Sequence, residues 1–245
     1  MKNFAIVSDI HGNLQALEAI HNDMKNYSLE GIILLGDLID YGMQSNEAVD
    51  YLKDEILVEI PIICNIWGNH EKEILDNSFT GFSSKRGEES ARFTASRLRE
   101  DVKQYLNNNL DNSGCSKFTL GEKNCLAVHG SIEDAYWKSI APNDLRGDYQ
   151  EYDMVFSGHS HISHCFSWFY PADNSVRRNK KSVLFINPGS VGQPRNHNPL
   201  AQYSLIDVDT MSVQMRAVEY DVKKAMSYFD GSVDDFYRER LKYGV

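Results

Sequence analysis

Phe4-Ala5-Ile6-Val7-Ser8-Asp9-Ile10-His11-Gly12 joins four consecutive apolar residues to a short polar turn. An apolar run without alternation is the pattern of a strand covered on both faces. Leu14, Leu17, Ile20 and Met24 then recur at helical spacing, with Asn13 placed to cap them. The pattern returns twice. Gly31-Ile32-Ile33-Leu34-Leu35 predicts a second strand, ending in Gly36-Asp37, and Ala48, Tyr51, Leu52 and Ile56 predict a helix after it. Pro61-Ile62-Ile63-Cys64-Asn65-Ile66 predicts a third strand, ending in Gly68-Asn69-His70. Alternating strands and helices with continuous apolar strands predict an α/β fold built on a parallel sheet. Ligands of such sheets gather at the carboxyl ends of the strands, and all three strands end in metal-competent residues.

The rest of the chain reads differently. Residues 77–118 predict a small helical insert, a possible cap, carrying Ala91, Leu98, Val102, Tyr105 and Leu106 on apolar faces. Between Ser84 and Lys103 there are six Lys/Arg and four Asp/Glu, net +2. Such a run is either a solvated helix face or a cationic cap over a phosphate-rich substrate. From Asn124 onward strands dominate: 125–128, 154–156, 165–169, 183–186, 203–208 and 212–218. The first two lead into Val128-His129-Gly130 and Phe156-Ser157-Gly158-His159. The later ones predict antiparallel ribbons. Helical patterns over 222–229 and 234–241 close the chain. One compact domain spanning 1–245 is the expected organisation.

Composition narrows the function classes. The chain has 245 residues, 42% hydrophobic and 24% charged, which excludes a disordered tail and a disulfide miniprotein. Net charge is 25 − 35 = −10, so non-specific nucleic-acid binding is not expected. No stretch approaches the roughly 18 apolar residues of a membrane helix. Four cysteines without a C-x-x-C pair predict idle thiols and a cytoplasmic location.

Five of the eight histidines lie in short motifs at strand ends: Asp9-Ile10-His11, Gly68-Asn69-His70-Glu71, His129-Gly130 and Gly158-His159-Ser160-His161, joined by Gly36-Asp37-Leu38-Ile39-Asp40. Singly, each has an ordinary explanation. His129 alone would be a core histidine, Asp37 a turn residue and Asp40 a helix cap. Together, each following an apolar strand, they predict a metal site, because carboxylate and imidazole donors suit first-row metals. His21, His164 and His197 fall outside the pattern.

These five motifs, in this order, resemble those of the calcineurin-like binuclear metallophosphoesterases. The run Asn187-Pro188-Gly189-Ser190-Val191-Gly192-Gln193-Pro194-Arg195 resembles their small bacterial and archaeal branch of phosphodiesterases and diadenosine-tetraphosphatase-like enzymes. The resemblance implies a four-layer αββα sandwich of two mixed sheets flanked by helices. It implies two divalent or trivalent ions, manganese or iron foremost, with zinc, nickel or cobalt as alternatives. Asp9, His11 and His161 would hold one ion, Asn69, His129 and His159 the other, and Asp37 would bridge them. His70 would face the substrate, oriented by Asp40.

Elementary electrostatics agrees. Two divalent ions against Asp9 and Asp37 leave a net positive centre that attracts phosphate despite the acidic chain. A water shared by two ions ionises near neutrality, and the resulting hydroxide is the expected nucleophile. The leaving oxygen needs a proton, for which His70 is the candidate. Phosphoprotein phosphatases of this superfamily carry arginine where Tyr41 stands, which argues against a phosphoprotein substrate. Arg195 is either a phosphate contact or a surface residue. Arg92 and Arg99, about two turns apart on a continuous helix, would share a face and follow a polyphosphate chain. The expected function is hydrolysis of small phosphoesters or phosphoanhydrides, including dinucleoside polyphosphates. The alternatives are a non-catalytic metal-binding scaffold of the same fold and a phosphoprotein phosphatase.

Overall fold

The computed structural model describes residues 2–245. It begins with β1 (Asn3–Val7), α1 (Leu14–Met24), β2 (Leu29–Leu34) and α2 (Ser45–Tyr51). A π-turn (Leu52–Ile56) continues α2 into the short α3 (Leu57–Glu59). Then come β3 (Ile62–Asn65), α4 (Asn69–Leu75), α5 (Lys85–Arg97) and α6 (Glu100–Asn109). The second half holds β4 (Cys115–Leu120), β5 (Lys123–Val128), β6 (Met154–Ser157), β7 (His164–Pro171), β8 (Lys180–Asn187), β9 (Ala201–Asp207) and β10 (Ser212–Val218). It ends with α7 (Val222–Ser227) and α8 (Asp235–Tyr243).

Two five-stranded mixed sheets result, ordered β10-β9-β1-β2-β3 and β4-β5-β6-β8-β7. In the first, β1, β2 and β3 run parallel, and β9 returns antiparallel to β1. In the second, β5, β6 and β8 run parallel, flanked by antiparallel β4 and β7. The ribbons read at the end of the sequence exist as β7–β8 and β9–β10, but β8 also joins β6 in parallel. The last residues of the expected helical segment 77–118 form the edge strand β4 instead.

The continuous apolar run of β1 is explained by burial on both sides. Phe4 and Ile6 enter the core between the sheets with Ile33, Cys64, Ala127, Phe156 and Ile186. Ala5 and Val7 face the other way, onto Leu17, Ile20 and Met24 of α1. The outer face of the second sheet is covered by an irregular segment in which Tyr149 is wholly buried against Val155 and Phe185. Because β1, β2 and β3 run parallel, as do β5 and β6, their carboxyl ends collect at one end of the sandwich.

Candidate active site

Every strand end that the sequence singled out delivers its residues to one place. Asp9 and His11 follow β1, Asp37 and Asp40 follow β2, and Asn69 and His70 open α4 just after β3. The second sheet adds His129 after β5, and His159 and His161 after β6. Ligand atoms of Asp9, His11, Asp37 and His161 lie within 4.8 Å of one another, as do those of Asp37, His129 and His159. Asp37 belongs to both groups. Asn69 Oδ1 joins the second group, 3.0 Å from His129 Nε2 and 2.9 Å from His159 Nδ1.

The backbone is strained to achieve this. Asp9, His11, Asp37, His159 and His161, with Asp40 and Tyr41, all have positive φ, between 48° and 74°. Left-handed non-glycine residues are uncommon and cluster at functional sites. The turns are also tight. A Cβ on Gly158 would collide with Ser8 Oγ, and one on Gly68 with the Asp37 carboxylate.

The donor set fits cations. His11 Nδ1 bonds the Ile39 carbonyl at 3.2 Å, His129 Nδ1 bonds the Leu35 carbonyl at 2.7 Å, and His161 Nδ1 bonds the Gln193 carbonyl. Only a ring N–H can donate to a carbonyl, so the Nε2 atoms of the neutral rings carry lone pairs. His11 and His161 are kept neutral, the first by burial and the His70 charge, the second by burial and Arg195. Their Nε2 atoms nevertheless face each other at 3.1 Å. Two lone pairs at that distance repel unless a cation lies between them.

The carboxylates repeat the arrangement. Asp9 Oδ2 accepts from Ser8 Oγ and the His159 backbone N–H. Asp9 Oδ1 is buried, 3.2 Å from His161 Nε2, and makes no hydrogen bond. Asp37 Oδ1 accepts from the His70 backbone N–H, while Oδ2 faces His129 Nε2 at 3.2 Å and His11 Nε2 at 3.6 Å. Each aspartate thus spends one oxygen on the scaffold and aims the other inward. A buried acceptor left unsatisfied, as Asp9 Oδ1 is, is costly without a partner. Burial works against the His129 imidazolium, yet Asp37 raises its pKa to about 9.

His70 is held separately. Its Nδ1 bonds Asp40 Oδ2 at 2.7 Å, and its Nε2 lies 4.0 Å from Asp37 Oδ2. Asp40 Oδ1 in turn accepts from Ser90 Oγ at 2.8 Å and Thr94 Oγ1 at 2.7 Å. These two hydroxyls come from α5 and had no signal in the sequence. Glu71 stands in the Gly68-Asn69-His70-Glu71 motif, which assigned it no role. Its buried carboxylate accepts from the backbone N–H groups of Asp37, Leu38 and Gly68 at 2.8 Å each, and so clamps the β2 turn to the start of α4. The run from Asn187 to Arg195 braces the ligand turns. Asn187 Nδ2 donates to the Gly158 carbonyl, and Ser190 Oγ donates to the Asp9 carbonyl.

A cavity of about 520 Å³ opens over this cluster. His70, Arg195 and Tyr41 line it. Arg92 and Arg99 do not. Arg92 pairs with Glu88 and lies over Phe79, while Arg99 grips Asp50 and Asp101. Their shared face required one helix, but Leu98 is extended (ψ 126°) and divides α5 from α6. The cavity's other cations, Arg86 and Arg240, and its aromatic walls, Phe82, Trp137 and Phe236, come from segments without any motif.

Two mixed sheets with a buried aspartate–histidine cluster at their common strand ends define the architecture of a metal-dependent phosphoester hydrolase. The calcineurin-like phosphoesterase superfamily domain model matches residues 1–211. The protein MJ0912 of Methanocaldococcus jannaschii is 30% identical over 229 residues, covering 90% of this chain and 89% of its own. The phosphodiesterase YfcE of Escherichia coli is 21% identical over 217 residues, covering 87% and 91%. A metallophosphoesterase structure from Sphaerobacter thermophilus superposes with a TM-score of 0.73 at 26% identity, covering 99% of this chain and 100% of its own. The chain belongs to the calcineurin-like phosphoesterase superfamily.

Proposed function

We propose that this protein hydrolyses small phosphoesters or phosphoanhydrides at the cavity over the Asp9–Asp37 cluster. The observation that carries the reading is the inward convergence of acceptor atoms from seven residues beside a carboxylate-held histidine. Asp9, His11 and His161 would hold one ion, Asn69, His129 and His159 a second, with Asp37 shared. When bound, such ions supply Lewis acidity toward phosphoryl oxygens and lower the pKa of water. The mixed oxygen and nitrogen donors favour manganese or iron, with zinc, nickel or cobalt also compatible.

The chain's own residues do the rest. Asp40 holds His70 through Nδ1, which leaves Nε2 toward the cavity and the imidazolium stabilised. Burial opposes that charge, but Asp37 and Asp40 outweigh it and raise the His70 pKa. His70 then donates its proton to the leaving oxygen as the P–O bond breaks, while water adds to phosphorus. Arg195 offers a guanidinium to phosphoryl oxygens.

Tyr41 supports a small substrate over a phosphoprotein. Its ring packs against His11 at 4.6 Å, His70 at 4.4 Å and Tyr237 at 4.4 Å and offers no guanidinium to a phosphate. Among the described residues no helix is long and apolar enough to cross a membrane. The four cysteines are free, which favours a reducing, cytoplasmic setting.

The test is a substrate panel on chelator-stripped protein with Mn²⁺ added back. Bis(p-nitrophenyl) phosphate and a dinucleoside polyphosphate should be hydrolysed, and phosphopeptides should not. Metal binding with no turnover of any phosphoester would support the scaffold reading instead.

A further inference from the structure

Five of the eleven arginines in this chain are paired. Arg92, Arg99, Arg146, Arg216 and Arg238 each hold a carboxylate. The three that line the cavity, Arg86, Arg195 and Arg240, hold none among the described residues. The Nε atoms of Arg195 and Arg240 are buried without any hydrogen-bond partner. Buried donors in that state are uncommon and point to a missing acceptor.

Their placement makes the vacancy specific. Arg86 lies with Cζ 3.9 Å from the centre of the Phe236 ring, and Arg240 lies 4.3 Å from the same centre. Stacking uses the flat face of a guanidinium and leaves its N–H edge free for an anion. The charges crowd one another as well. Burial, then Arg195 and Arg86 along with it, pulls Arg240 down to about 10. Asp37, at the metal cluster, is the one carboxylate on the cavity wall among the described residues. The wall beyond the cluster is therefore cationic only, in a chain of net charge −10. Phe236 and Arg240 belong to α8, outside the 1–211 region matched by the family model.

We propose that Arg86, Arg195 and Arg240 form a second anion subsite that holds a distal phosphate of the substrate. The substrate class is then compounds with at least two phosphate groups, one placed over the Asp9–Asp37 cluster and one gripped by the three guanidiniums. This rests on the phosphoesterase reading for the first position and on the arginines alone for the second. Arg92 and Arg99 have no part in it.

The experiment is calorimetric titration of tripolyphosphate and, separately, orthophosphate into chelator-stripped protein. Without metal no ion competes for the anion, and the arginine variants assign the binding to the subsite. Tripolyphosphate should bind at least about tenfold tighter than orthophosphate. Arg240→Gln and Arg86→Gln should each weaken tripolyphosphate binding by about tenfold or more, the loss of one charged hydrogen-bonding group. Arg238→Gln, half-buried on the same helix and paired with Glu239, should bind like wild type. Arg86 is exposed, so its variant keeps the test decisive if Arg240→Gln fails to fold. Equal binding of the two anions, or unchanged affinity in Arg86→Gln, would overturn the subsite. Turnover of bis(p-nitrophenyl) phosphate by Mn²⁺-loaded wild type is measured alongside. Its absence would remove the phosphoesterase reading without touching the binding result.

Discussion

The cavity has a floor and a rim, and they are built on different principles. The floor is made at strand ends. Its aspartates and most of its histidines are buried, its turns are left-handed, and His11, His129 and His161 are each oriented by a backbone carbonyl. The rim is made by segments laid across the sandwich: the first turn of α5, the loop at Arg195 and the terminal helix α8. Its Arg86 and Arg240 rest on the Phe236 ring, and its arginines are half-buried or exposed. Floor geometry follows from sheet topology and has little freedom. Rim geometry follows from how two helices pack, and it can be altered without disturbing the floor. The difference teaches that chemistry and substrate choice are separable by mutation here.

The largest effect expected is at the floor. Asp37→Ala should remove metal and reduce turnover to background, because one change damages both groups of ligands; metal content and activity measured together check it. Retained turnover would dissolve the distinction between floor and rim. His70→Ala should keep the metal but lose roughly 10²–10⁴-fold in kcat. The loss should be smaller for p-nitrophenyl esters, whose leaving group needs little protonation, and kinetics across leaving groups of different pKa would show it.

A third prediction probes the hydroxyls through which α5 reaches the floor. Thr94→Val removes a hydroxyl from Asp40 and should lower kcat by about 10- to 100-fold with KM nearly unchanged, as loss of a group that orients a site residue does. Thr94→Ser should restore most of it. An equal rise in KM would mean that α5 holds substrate rather than Asp40. The smallest effect is expected outside the cavity. Arg92→Ala and Arg99→Ala should leave kcat/KM for every substrate as in wild type, since their charges are spent on Glu88, Asp50 and Asp101. A selective loss on polyphosphate substrates would return these residues to the rim.

The floor was legible in sequence because each ligand sits within a few residues of an apolar strand, so local pattern and function coincide. The β1 tetrad and the Gly158-His159-Ser160-His161 motif are read directly. The rim was legible only in part. Arg195 closes the Asn187–Arg195 run and Arg86 lies in the cationic stretch from Ser84 to Lys103, but the three arginines are separated by 109 and 45 residues in a chain of 245, and Arg240 carries no local signal. Arg92 and Arg99 misled because helical spacing was carried across Leu98, where the backbone is extended. Ser90 and Thr94 read as ordinary helix residues, since their partner Asp40 lies about 50 positions away. The strand order of the second sheet was hidden for the same reason: β8 meets β6 across the β7 hairpin, a non-local pairing.

The central claim is a two-ion floor hinged on Asp37. The direct measurement is elemental analysis of purified protein reloaded with Mn²⁺, joined to an anomalous difference map from its crystals. Two ions per chain are expected, one against Asp9, His11 and His161, the other against Asn69, His129 and His159, each within bonding distance of Asp37. A single fully occupied ion under excess Mn²⁺, or two ions of which neither touches Asp37, would contradict the account.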